Sequence, residues 1–154
     1  MMNEESKSEA DHAITESEMF GLANDLRLAC QRIARRVRFE STSAVAPHQF
    51  SVLVHLQRVG PRTPTQLAAH DRVSAPSITR TVNCLVEQGL VERFPHPGDG
   101  RQVFVRATDA GAAVVRDTVA QRDTWMLNHL DGMAPEQLAI LRRAADLLLE
   151  VSEA

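Results

Sequence analysis

Apolar residues recur at spacings of three and four from Phe20 through Ala23, Leu26, Cys30 and Ile33 to Val37. That period is one face of a long amphipathic helix. Thr15 and Glu18 form a T-x-x-E capping box that opens it, and Arg27, Arg32, Arg35, Arg36 and Arg38 fill its other faces. The stretch 41–46 breaks the pattern. Pro47 suits the first turn of a second helix, which runs to Gly60 over Phe50, Leu53, Val54 and Leu56. Thr63-Pro64-Thr65-Gln66 is a second capping box with proline at the first helical position. It predicts a short helix through Leu67, Ala68 and Ala69 that ends near Asp71. Val73 then turns the chain, Ser74 caps a helix from Ala75 to Gln88, and Gly89 ends that helix as a left-handed residue. Two short helices joined by so tight a turn form a helix-turn-helix pattern.

After Gly89 the period changes from helical to alternating. Val91, Arg93 and Pro95 alternate with Glu92, Phe94 and His96, and Val103 and Val105 alternate with Gln102, Phe104 and Arg106. Pro97-Gly98-Asp99-Gly100 lies between the two runs. The pattern predicts a β-hairpin directly after a helix-turn-helix, the arrangement called a wing, with a loop longer than a two-residue turn and a mobile tip. Thr108 suits the cap of a third long helix through Val114, Val115, Val119, Trp125 and Met126 to about Leu130. Asp131-Gly132 breaks it, and a last helix from Pro135 carries Leu138, Leu141, Ala144, Ala145, Leu148 and Val151. Residues 1–14 are polar and acidic and read as a mobile tail. The fold class is mainly α with one small β-hairpin.

A chain of 154 residues is one domain with extensions. No apolar run approaches the ~18 residues that would span a bilayer, and the first twenty residues lack a basic-then-apolar start. Cys30 and Cys84 make neither a disulfide framework nor a cysteine-rich zinc site, so the expected compartment is the cytoplasm. The net charge of −3 conceals an asymmetry. Residues 1–20 hold six acids and one base, residues 21–108 six acids and twelve bases, and residues 109–154 eight acids and four bases. A basic middle between acidic ends points to a polyanionic partner.

The segment from Ala75 to Gln88 carries the most chemistry. At about 100° per residue, Ile78, Val82, Leu85 and Val86 fall on one side and pack inward. Pro76, Ser77, Arg80, Asn83, Cys84 and Glu87 fall on the other. Arginine donates two bonds to guanine, asparagine pairs with adenine, and serine and threonine reach phosphates, so this face suits a DNA major groove. An ordinary solvated helix face would look the same taken alone. The wing adds Asp99 and Arg101 on either side of Gly100. A long cation there can enter a narrow minor groove, with Asp99 orienting it. Arg62, Arg93 and Arg106 are further candidates for the phosphate path.

The stretch TPTQLAAHDRVSAPSITRTVNCLVEQGLVER, followed by PGDGRQVFVRATDAG, closely resembles the MarR family of bacterial transcription regulators. The combination of S-I-T-R, L-V-E-Q-G-L-V, D-G-R and then Thr108 with Gly111 carries the resemblance, and the helix order extends it over the whole chain. It implies a homodimer with a winged helix-turn-helix in each subunit, spanning 47–108. It also implies a helical dimerisation domain built from the N-terminal helix, 15–46, and the C-terminal helices, 109–154. By the same resemblance Arg80 is the recognition-helix arginine, Arg101 the wing arginine and Asp99 the wing aspartate. Ser74, Ser77 and Thr79 stand where the family approaches phosphates or bases, and Asn83 joins them from the outward face. The family often has a second arginine one turn after Arg80, where this chain has Cys84.

The expected function is therefore sequence-specific binding of double-stranded DNA, as a homodimeric repressor of a pseudo-palindromic operator. The resemblance further implies a pocket between the DNA-binding and dimerising parts for a small aromatic or phenolic acid. Phe39, Phe50, His55, Trp125 and Met126 are candidates to line it, although aromatic residues at helical spacing serve core packing as readily. Cys84 leaves open a thiol-based redox sensor, and a winged helix that docks a protein instead of DNA is a further alternative. Cys30, in an apolar stripe, reads as packing. No catalytic motif, cofactor motif or metal-ligand spacing is present among the six histidines. His48 and His55, seven residues apart, can share a helix face, which solvation or packing also explains.

Overall fold

The structure is a computed structural model that describes residues 14–96 and 98–153, with the side chains of His96, Asp99, Gly100 and Arg101 outside the described set. The tail expected before Ile14 and the turn residue Pro97 also lie outside it. The elements are α1 (Glu16–Glu40), α2 (Pro47–Val59), α3 (Pro64–Asp71), α4 (Ala75–Glu87), β1 (Val91–His96), β2 (Asp99–Ala107), α5 (Asp109–Leu130) and α6 (Pro135–Glu153). The chain divides into two compact units, 1–36 and 37–154.

In the first unit α1 starts as its sequence predicts. The Thr15 N–H donates to Glu18 Oε2 at 2.9 Å and the Glu18 N–H donates back to Thr15 Oγ1 at 3.3 Å. The Thr15 hydroxyl, donating to Glu18 Oε2 at 2.7 Å, and then the Thr15 N–H hold the Glu18 carboxyl below its ordinary value. No residue of α1 is buried, and Cys30 is exposed rather than packed.

The second unit holds the core. α2 contributes Phe50, Val52, Leu53 and Leu56, α3 contributes Leu67, and α4 contributes Ile78, Val82 and Leu85. Val91 and Val105 close it from the hairpin and Val115 from α5. The inward face of α4 is the one its period predicts. β1 and β2 pair antiparallel, with Arg93 opposite Val105 and Phe94 opposite Phe104. Pairing continues to His96 opposite Asp99, so only Pro97 and Gly98 connect the strands. The loop is shorter than the sequence suggests because the register shifts beyond Pro95 and takes the extra residues into β2 as a bulge. Arg62 adds a short third rung: its N–H donates to the Val105 carbonyl at 3.0 Å, and the Val105 N–H donates to its carbonyl at 2.8 Å.

The turn between α3 and α4 is centred one residue earlier than expected. Arg72, not Val73, takes the left-handed conformation, at φ 53°, and the Val73 N–H reaches back to the Ala68 carbonyl at 3.0 Å. In α5, Val115 and Thr118 are buried, but Val119 is 43% exposed, off the stripe predicted for it. No residue of α6 is buried.

The end of α4 and the start of α5 are fastened together. The Thr108 N–H donates to the Leu90 carbonyl at 3.0 Å, and its hydroxyl donates to the Gly89 carbonyl at 2.7 Å while accepting from the Gly111 N–H at 3.1 Å. Gly111 sits so close that a Cβ there would overlap the Leu90 carbonyl oxygen and stand 3.1 Å from Leu53 Cδ2. Gly21, by contrast, has nothing within 4 Å of the point where a Cβ would stand. Gly111→Ala is therefore expected to destabilise the protein by about 2–3 kcal/mol through overpacking. Gly21→Ala, in an open helix interior, should stabilise it by up to ~1 kcal/mol. Denaturant titration of both variants checks this, and equal effects would remove the close approach as the cause.

Candidate nucleic-acid interface

Ser74 caps α4 by accepting from the Ser77 N–H at 3.4 Å, and the two hydroxyls meet at 3.1 Å. With Pro76 in the first turn, α4 begins sharply and keeps its N-terminal end open. Ser74, Ser77, Thr79, Arg80 and Asn83 are all exposed. The Thr79 hydroxyl donates to the Ala75 carbonyl at 2.8 Å, which leaves its lone pairs outward as acceptors. Arg80, behind a face packed by Ile78 and Val82, is displayed on the opposite side of the helix.

Asn83 is engaged. Its carboxamide oxygen accepts from Arg93 Nη2 of β1 at 2.5 Å. A carboxamide reads adenine by donating to one ring atom and accepting from the exocyclic amine. In this arrangement Asn83 has its NH₂ group and one oxygen lone pair left to offer, and Arg93 braces helix against hairpin through one of its five N–H donors. Arg106 is likewise partnered, donating from Nε to Glu92 at 2.6 Å and lying 4.9 Å over the Phe94 ring. Arg62 donates to the Pro61 carbonyl at 2.8 Å. Asp99 pairs with His96, Arg101 lies in the bulged stretch of β2 between Asp99 and Val103, and the side chains of both lie outside the described residues.

Cys84 is half-buried rather than fully on the outward face. Its Sγ accepts from Gln49 Nε2 of α2 at 3.0 Å and from Gln88 Nε2 at 3.4 Å. At the flank of the helix it packs towards α2, where buried Gln49 also accepts from the Ala46 N–H at 2.9 Å. A cavity of about 430 Å³ opens beside it, lined among others by Ser77, Arg80 and His48.

A second cavity, of about 510 Å³, is bounded by the last turn of α1 with α2, α3 and α5. Of the five residues expected around an effector, it brings together Phe50 and His55 only. Phe39 is 74% exposed. Trp125 lines a different cavity of about 390 Å³, where its Nε1–H donates to Glu40 at 2.8 Å and its ring stacks on His129 at 3.7 Å. Met126 is half-buried on α5 and lines none of these three cavities. Arg38, Arg58, Arg122 and His70, which the sequence did not put forward for a pocket, take the vacated places around Phe50, together with His48. The Arg122 guanidinium lies 4.1 Å over the Phe50 ring, and the His55 and His70 rings stack at 3.6 Å. Burial, then Arg38, lowers the pKa of Arg122, which stays charged. The shared face of His48 and His55 was the available signal, but the arginines come from three helices and leave no local trace.

Burial, then His70, Arg62 and Arg58, pushes His55 below its ordinary value of 6.5, against the pull of Asp71. The unfolded chain therefore takes up a proton that the folded chain resists, and stability falls as pH drops below that value. The melting temperature should be lower at about pH 5.5 than at about pH 7.5, by a margin that shrinks in His55→Gln. An unchanged margin in that variant would assign the acid sensitivity elsewhere.

With this geometry in place, comparison with known proteins is direct. The family model described as MarR family matches residues 45–102. An uncharacterized HTH-type transcriptional regulator of Mycobacterium leprae, ML2140, is 43% identical over 131 residues, covering 84% of this chain and 92% of that protein. Among solved structures, RV1404 from Mycobacterium tuberculosis superposes with a TM-score of 0.73 at 27% identity, covering 90% of this chain and 97% of that one. Wild-type MarR from E. coli, in its apo form, superposes with a TM-score of 0.63 at 25% identity, covering 89% and 98%.

Proposed function

The chain belongs to the MarR family of DNA-binding transcription regulators, and from that premise we propose that it is a cytoplasmic homodimer that represses genes by occupying a pseudo-palindromic operator, under the control of a small-molecule effector. The observation that carries this reading is the two-sided build of α4. Ile78, Val82 and Leu85 lock one side into the core, and Ser74, Ser77, Thr79 and Arg80 stand exposed on the other. A helix so anchored can enter a major groove as a rigid reader, with Arg80 against base edges and the hydroxyls against phosphates. Asp99 and Arg101 at the hairpin tip are assigned to the minor groove.

Dimerisation is supported by the apolar surface that the single chain leaves exposed. Phe20 of α1 is 80% exposed, Ile140 of α6 69%, and Val151 of α6 74%. Apolar helix stripes of this kind bury against a partner, and a second copy is the partner the family implies. A twofold axis then sets two α4 helices on half-sites about one turn of DNA apart, ~10 bp centre to centre. A dimer seated on such a site excludes other proteins from it, which is repression. The cavity beside Phe50 shares α2 and α3 with the helix-turn-helix and is the assigned effector site.

Selection of bound fragments from a genomic DNA pool tests the reading, and recovery without a recurring palindrome would overturn it. Arg101→Ala is expected to weaken operator binding by about 1–3 kcal/mol and to reduce the salt dependence by about one ion. Arg80→Ala should flatten the preference among sequences; a loss that is uniform across sequences would make it a phosphate contact. Leu141→Glu, in the stripe of α6, should convert the dimer seen by light scattering to monomer and abolish operator binding with it.

A further inference from the structure

We propose that the cavity between α2, α3 and α5 binds a small metabolite carrying two or more negative charges, a phosphate ester or a polycarboxylate, rather than a monoanionic aromatic acid. The inference rests on the effector reading above for its regulatory role but not for binding itself. Its first ground is charge. Among the described residues the lining includes three guanidinium groups, Arg38, Arg58 and Arg122, and no aspartate or glutamate. Guanidinium groups do not shed their protons, so the cavity holds a triple positive charge with every histidine neutral. A neighbouring carboxylate, Asp71, is held at its edge by the Ser51 hydroxyl at 3.0 Å and by His70 at 3.9 Å. One carboxylate from a ligand would offset a third of this charge, and a dianion or trianion most or all of it.

The second ground is hydrogen bonding. Arg122 Nε and His55 Nδ1 are both buried and have no hydrogen-bond partner among the described residues. Buried polar nitrogens are rarely left this way. On this cavity wall Arg122 Nε–H, from α5, marks where an acceptor oxygen belongs, and His55 Nδ1, from α2, donates to a second one in its Nδ1–H tautomer. Arg122 is already oriented for the task, because stacking on Phe50 leaves the in-plane N–H edges of its guanidinium for acceptors. The same stack covers the Phe50 face that an aromatic ligand would use. A volume of about 510 Å³ accommodates a metabolite of this class.

Calorimetric titration of the full-length dimer with citrate, inorganic phosphate and benzoate, at constant ionic strength, tests the proposal. Citrate and phosphate are expected to bind, and benzoate about tenfold or more weakly than citrate. Arg122→Gln should lower citrate affinity by about tenfold or more, and so should Arg58→Gln, while the exposed Arg116→Gln stays within about twofold. Benzoate binding as tightly as citrate, no binding of either multivalent anion, or an equal loss in Arg116→Gln would each overturn it. Should Arg122→Gln fail to fold, Arg58→Gln carries the same test. The same anions added to the protein–operator complex decide the other question. Citrate that binds the protein without altering operator affinity would refute the effector role and leave the anion site standing.

Discussion

The rest of the second unit depends on the close approach between the start of α5 and the chain that leaves α4. Thr108 ties its own N–H and hydroxyl to the Leu90 and Gly89 carbonyls, and Gly111 lets the helix come down onto Leu90 where no side chain would fit. These bonds satisfy the carbonyls that follow the end of α4 and cap α5 with the same residue. They also fix α5 against α2 through Leu53. Two consequences follow from this one junction. α4 is held rigidly enough to present a defined outward face, and α5 is aimed so that Arg122, three turns further on, reaches Phe50 across the cavity.

A short stretch of chain connects the cavity wall to the start of α4. His70 lines the cavity and is stacked on His55, and its neighbour Asp71 is bonded to Ser51 of α2. Arg72, next in the chain, takes the left-handed turn conformation that a non-glycine residue adopts only at a cost. Ser74 then caps α4. Four residues therefore separate a cavity wall from the first turn of the reading helix. His55 is thus linked through its stack on His70 to the left-handed turn that precedes α4. In general a ligand couples to a second site only by binding two arrangements of a protein unequally.

Much of this was legible in the sequence because it is local. Capping boxes at Thr15 and Thr63, the cap at Ser74, the left-handed Gly89 and the change of period at Val91 each depend on residues within four positions of one another, and each is where it was expected. What was not legible is tertiary. The left-handed residue at Arg72 gives no sign, since arginine is not a turn former. The bulge beyond Pro95 shortens a loop that residue types alone lengthen. Cys84 sits at the margin of two faces, and only the position of Gln49 decides which one claims it. Phe39 of α1 and the neighbours Trp125 and Met126 of α5 go to three different surroundings, because the sequence fixes the face of a helix on which a residue lies and not what packs against that face.

The charge distribution shows most plainly how a correct count can be assigned too broadly. The basic middle of the chain reads as a surface for a polyanion. In the folded protein that charge is divided. Arg106 is paired with Glu92, Arg93 keeps its charge while donating to the neutral Asn83, and Arg38 and Arg58 face the cavity with Arg122, which the count of the middle does not include. Arg80 remains displayed on the reading helix. The basic middle of the chain is thus not one surface, since Arg38 and Arg58 line the cavity and not the outward face of α4. The second concentration of positive charge lines the cavity of about 510 Å³ beside Phe50. One electrostatic signal in the sequence therefore corresponds to two separate places in the fold, the outward face of α4 and a cavity walled by α2, α3 and α5.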